Sequence, residues 1–169
     1  GFSGLMLGVT PVDFQYHDTY FVVAHFHYVL VTGAVYSLIA ATYFWLPKWT
    51  GYMYDETLGK WHFWLSTISV NILFFPQHFL GLAGMPRRIP DYSVQFAEFN
   101  MISSIGGWVY GLSQLLFVYI IIKCVRGGKK ASDRVWDGAH GLEWTLSSPA
   151  PYHSFDTPPD PSTIEGGVR

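Results

Sequence analysis

Three stretches of this 169-residue chain contain no Asp, Glu, Lys or Arg: residues 20–47, 61–86 and 99–122. Only 13% of all residues are charged, against roughly 25% in soluble domains. With a mean hydropathy of +0.21, this shortage excludes an ordinary soluble domain and points to a membrane protein. Each run is long enough to cross a bilayer, which takes about 20 residues. The single cysteine, Cys124, excludes an internal disulfide and says nothing of compartment. A net charge of −2 leaves no electrostatic case for nucleic acid. Internal repeats and Gly-rich phosphate loops are also lacking. Residues 1–19 carry no initiator Met, basic n-region or cleavage pattern, so a processed, split or cropped chain is expected rather than a nascent secretory one.

What is present is an all-α membrane pattern: three transmembrane helices, at about 20–48, 61–85 and 96–125, making up a part at 20–127. Residues 1–19 read as the end of a preceding helix, interrupted at Pro11, followed by a polar outer-side loop. Asp18 or Thr19 is placed to cap the first span. Trp45, Trp49 and the helix-stopping Pro47 close it in an aromatic belt. Residues 50–60 read as a loop. Trp61, Phe63 and Trp64 mark the next interface. Asn71, Gln77 and His78 sit inside the second span, where they line a cavity or glue helices, and Pro76 is a candidate kink. A helix start is expected near Glu98. Gly106, Gly107, Gly111 and Ser113 give the third span a small-residue face, with GxxxG spacing at Gly107 and Gly111. Residues 128–169 read as an extended C-terminal tail in which Trp144 and the segment 149–153 pack on other surfaces.

The chemistry concentrates in residues 17–30, HDTYFVVAHFHYVL. Ionisable groups at membrane depth usually face a protein interior, a cofactor or an ion path. A helix turns about 100° per residue, so His25 and His27 point about 200° apart. One metal atom does not easily take both. Two partners on opposite sides fit better, with Phe26 on the edge between them. Imidazole is a usual axial ligand of haem iron, so two haems flanking one helix is one reading; hydrogen-bonded packing between helices is the other. The basic residues Lys123, Arg126, Lys129, Lys130 and Arg134 place the tail on the cytoplasmic or matrix side. Three spans then put residues 1–19 and 81–98 on the outer side, with His25 under about 10 Å deep. Arg87 and Arg88 on that side run against the positive-inside rule. A local anion would explain them: haem propionates, which arginine binds bidentately, or lipid phosphate.

HDTYFVVAHFHYVL, the span VNILFFPQHFLGLAGMPRR and the tail pieces LEW and APYH together resemble the C-terminal part of subunit I in the haem–copper oxidase family. The resemblance covers about residues 1–155, and its three spans correspond to the last three of a twelve-helix bundle. It implies that His25 is the proximal ligand of the high-spin haem at the oxygen site and therefore catalytic. It implies that His27 is one of two axial ligands of the low-spin haem, with Phe26 between the haems. Arg87 and Arg88 match a pair that binds propionates. Asp13 matches a carboxylate near the high-spin propionates. His17 and Asp18 match ligands of a magnesium ion at the border with subunit II. The family's copper B ligands, second low-spin ligand and main proton-channel residues lie on earlier helices, outside this chain.

The resemblance further implies two haem A groups and an aa3-type cytochrome c oxidase that reduces dioxygen to water and pumps protons. The expected partners are the remainder of subunit I, subunit II with copper A, subunit III, cytochrome c and membrane lipid. The expected location is a bacterial cytoplasmic membrane or a mitochondrial inner membrane. A quinol oxidase of the same superfamily and a haem-free membrane scaffold are the alternatives.

Overall fold

The computed structural model describes residues 1–160; residues 161–169, the end of the expected tail, lie outside it. The described residues are mostly helical up to Val125 and mostly irregular beyond it, with no strand among them. Two short helices, α1 (Phe2–Gly8) and α2 (Thr10–Tyr16), precede α3 (Tyr20–Val29). A π-helical segment (Leu30–Val35) joins α3 to α4 (Tyr36–Thr50). The long helices α5 (Glu56–Leu82) and α6 (Ala97–Val125) follow, the latter entered through a 3-10 turn at Val94–Phe96. Three continuous helical stretches are long and apolar enough to cross a membrane: Tyr20–Thr50, Glu56–Leu82 and Val94–Val125. Large apolar side chains on α6, such as Ile105, Trp108 and Leu112, face outward. A helix that is apolar all round belongs among lipid or neighbouring helices.

The helix ends have local causes, and several differ from the sequence reading. Pro11 opens α2 rather than ending a helix, since proline suits the first turn. Pro47 does not stop its helix: α4 continues three residues further to Thr50. The Thr50 hydroxyl bonds Leu46 O at 2.8 Å, Gly51 N–H reaches Pro47 O at 2.9 Å, and Gly51 ends the helix at φ +76°. The second span begins at Glu56, five residues before Trp61, because Asp55 caps it by accepting from Thr57 N and Leu58 N. Pro76 lies inside α5 without ending it. At the far end of α5, Gly84 N–H reaches Gly81 O and Met85 N–H reaches Leu80 O, with Gly84 at φ +85°. That is a Schellman termination, for which glycine carries no Cβ penalty.

The chain forms two compact units. The first comprises Gly1–Ile39 and Lys60–Phe117. In it Leu80, Met85 and Phe96 make a small buried cluster flanked by Tyr20 and Ile89. Gly106 brings α6 against α5: a Cβ there would lie 2.5 Å from Leu73 N. Gly111, by contrast, has nothing within 4 Å, so Gly106 makes the close contact and the GxxxG pair does not. Asn71 glues helices by accepting the Tyr28 hydroxyl at 2.6 Å, whereas Gln77 and His78 donate to carbonyls of their own helix.

The second unit comprises Ala40–Gly59 and the described residues from Val118 to Asp160. Its centre is Lys48, a buried cation at 4% exposure. Nζ donates to Leu146 O at 2.5 Å and to Asp133 O at 3.1 Å, and lies 5.7 Å from the Trp144 ring. Trp144 meets Phe44 edge-on, and Trp136 donates to Phe44 O. Met53 N–H to Lys129 O and Ala131 N–H to Gly51 O bind the start of the tail to the segment after α4. A cavity of about 540 Å³ is lined here by Trp45, Trp49, Pro149 and Ala150. Cys124 is buried, its thiol donating to Tyr52 O at 3.1 Å.

Candidate functional site

The site is built on α3 and on the loop after α5. Thr19, not Asp18, caps α3: its side chain accepts Phe21 N–H at 3.2 Å. The residues around this cap pair with the arginine loop. Tyr20 N–H donates to Met85 O at 3.0 Å, and Arg87 N–H donates to Asp18 O at 2.9 Å. Thr19 and Pro86 face each other across this short antiparallel bridge. Asp18, just before the bridge, and Arg88, two residues after it, have φ of 54° and 62°. Left-handed backbone is uncommon outside glycine and costs of order 1–3 kcal/mol where the surroundings impose it. Gly81 permits the approach, because a Cβ there would stand 2.5 Å from Phe21 Cα.

This pairing brings together residues 17–27 and 85–88. The Arg87 guanidinium lies 5.7 Å from the centre of the Phe26 ring, within cation–π range. Phe26 in turn meets the His27 ring at 4.5 Å between centroids. His27 stacks on Phe74 of α5 at 4.3 Å and 11°. Its Nδ1 lies 2.8 Å from Val23 O, one turn back. A carbonyl only accepts, so Nδ1 carries the proton and Nε2 keeps its lone pair. His25 Nδ1 lies 2.9 Å from the Ser3 hydroxyl of α1. Metal-bound histidines typically engage their second nitrogen in this way, so His27 fits Nε2 ligation, and His25 fits it with the Ser3 hydroxyl as acceptor of the Nδ1 proton. Arg88 is exposed and lies one residue beyond Arg87 in the same turn.

The polar approach to α3 forms a separate cluster. His17 Nε2 lies 3.3 Å from Asp18 Oδ2, and His17 Nδ1 lies 4.0 Å from Asp13 Oδ2. The His17 side chain is 72% exposed. Among the described residues no group of three or more His, Cys, Asp or Glu is arranged to hold a metal ion by itself. His17 and Asp18 therefore suit a metal only with further ligands from elsewhere. Magnesium accepts such a site, because it keeps several waters and needs only one or two carboxylates.

Sequence reasoning missed Ser3, Gly4, Gly81 and the π-helical segment that follows the paired histidines. Single π turns recur at functional positions, yet LVTGAV carries no composition that separates it from regular helix. A small residue at 81 was visible within LGLAG, but not its neighbour.

Residues 1–109 match the family model described as cytochrome C and quinol oxidase polypeptide I. The chain is similar to cytochrome c oxidase subunit 1 of Cereibacter sphaeroides, at 47% identity over 161 residues, covering 94% of this chain and 28% of that protein. Cytochrome c oxidase subunit 1 of Thermostichus vulcanus is 48% identical over 159 residues, covering 94% and 29%. That of Yarrowia lipolytica is 41% identical over 175 residues, covering 94% and 33%. The chain spans about a third or less of the length of these relatives.

Proposed function

The chain belongs to the cytochrome c and quinol oxidase polypeptide I family, and from that premise we propose that it is the haem-holding C-terminal part of subunit I in an aa3-type cytochrome c oxidase. His25 would hold the high-spin haem A and His27 the low-spin one. When bound, these groups supply electron transfer and dioxygen reduction to water. The work of this chain's own residues is narrower. α3 presents the two imidazoles on opposite sides. The Val23 carbonyl fixes the His27 tautomer. Arg87 and Arg88 would hold propionates by charge-assisted hydrogen bonds, and Phe26 would fill the space between the haems. His17 and Asp18 would give part of a magnesium site completed by subunit II, with Asp13 bracing His17. Copper B would be held by the remainder of subunit I and copper A by subunit II, with subunit III as a further partner.

The observation that carries this reading is the backbone pairing of residues 18–20 with 85–87. It joins the two-histidine helix to the arginine pair, two features 60 residues apart in sequence with complementary roles toward a haem. The basic cluster from Lys123 to Arg134 supports a tail on the cytoplasmic or matrix side of the membrane. Proton pumping and the cytochrome c partner rest on the family.

The test is made on the assembled complex that contains this chain. The reduced-minus-oxidised spectrum is expected to show haem A, and reduced cytochrome c is expected to be oxidised with consumption of dioxygen. Oxidation of quinol in place of cytochrome c would move the protein to the quinol branch. A complex without haem would overturn the reading and leave His25 and His27 as helix contacts.

A further inference from the structure

His25 and His27 share a helix, but their rings are seated differently. His27 bonds a carbonyl of its own helix. The His25 partner comes from α1, 22 residues earlier: the Ser3 hydroxyl, 2.9 Å from Nδ1. The next residue, Gly4, closes the seat. A Cβ at Gly4 would lie 3.0 Å from His25 Cε1 and 3.5 Å from Nε2, tighter than the ring tolerates without shifting. One neighbour thus supplies a polar contact to the ring, and the other supplies the space in which the ring lies.

We infer that Ser3 is a positioning residue for the oxygen-site ligand: its hydroxyl accepts the Nδ1 proton of His25, leaves Nε2 as the lone-pair nitrogen and sets how strongly this imidazole donates. The inference rests on the assignment of His25 to the high-spin haem. A hydroxyl is a rotatable acceptor, whereas the helix carbonyl serving His27 is fixed. The two ligands are therefore tuned apart: His27 is held as the stronger, rigid donor and His25 as the weaker one. Hydrogen bonding at the second ring nitrogen raises ligand basicity, and ligand donation is one lever on haem potential. The same pair makes α1 part of the haem site, although nothing in its sequence is a ligand.

The test uses the assembled complex and reads the high-spin iron–histidine vibration and midpoint potential, which bare packing does not move in a set direction. Ser3→Ala is expected to lower the vibration and raise the potential, with the low-spin absorbance unchanged. Ser3→Thr, which restores the hydroxyl, is expected to return both toward the wild-type values. Ser3→Cys keeps a weak acceptor at similar volume and is expected to shift both in the same direction as Ala by less, so the decision does not depend on the Ala variant assembling. Wild-type vibration and potential in Ser3→Ala or Ser3→Cys, with haem bound, would overturn the role of Ser3 alone. Equal shifts in Ser3→Thr and Ser3→Ala would overturn it too, by showing packing instead of a hydrogen bond. A wild-type complex without a high-spin haem would remove the assignment of His25 itself.

Discussion

Gly81 decides how closely the two-histidine helix approaches α5. Any side chain there meets the backbone of Phe21, and packed interiors yield little to added volume. Gly81→Ala is expected to cost about 1–3 kcal/mol, the usual range for overpacking. It should appear as a lower thermal-inactivation temperature of the complex; an unchanged temperature would contradict the close approach. A second single-residue effect concerns Asp55. The hydrogen bond from Lys123 at 2.7 Å, aided by the amides of Leu58 and Thr57, holds its carboxyl below the ordinary carboxylate range. A depressed acid stabilises the folded state above its unfolded pKa, and this contribution is lost as pH falls through the folded value. Asp55→Asn is therefore expected to weaken the start of α5 near neutral pH and to match wild type in strong acid, as read by pH-dependent amide exchange at residues 56–58. Equal exchange at neutral pH would contradict the pairing.

At the scale of elements, the three spans were legible because the hydrocarbon core forbids charge, so the runs free of Asp, Glu, Lys and Arg mark them directly. Helical period alone put His25 and His27 on different sides of their helix and left haem ligation and helix packing both open. The helix ends were less legible. Pro47 was read as a stop because proline removes an N–H and crowds the preceding turn, yet Thr50 and Gly51 terminate the helix one turn later. The partner of His25 was hidden, because one serine 22 residues away carries no periodic signal. The choice of Gly106 over Gly111 depends on how α5 and α6 face one another, which spacing within one helix does not state. Gly106→Val should force the α5–α6 contact apart where Gly111→Val leaves it intact. Protease resistance of the two variants in detergent checks this, and equal resistance would contradict the contact at Leu73.

At the scale of the whole molecule, a chain with few charges has buried one of them. Lys48 reaches the Asp133 and Leu146 carbonyls from α4 and so ties down the tail. Lys48→Met keeps most of the volume but removes both hydrogen bonds to the tail. Faster proteolysis between residues 131 and 150 is expected; a cleavage rate equal to wild type would show that the tail is held by other contacts. The other large-scale feature is the division of labour along α3. On the proposed reading one helix would serve two cofactors, because residues two apart face opposite ways, while the loop at 85–88 would bring cations to the same end. The most direct measurement is the spectrum of His25→Ala beside that of His27→Ala in the assembled complex. Loss of the high-spin signal alone in the first, and of the low-spin signal in the second, is expected. Loss of the same signal in both variants, or of neither, would contradict the assignment of two haems to one helix.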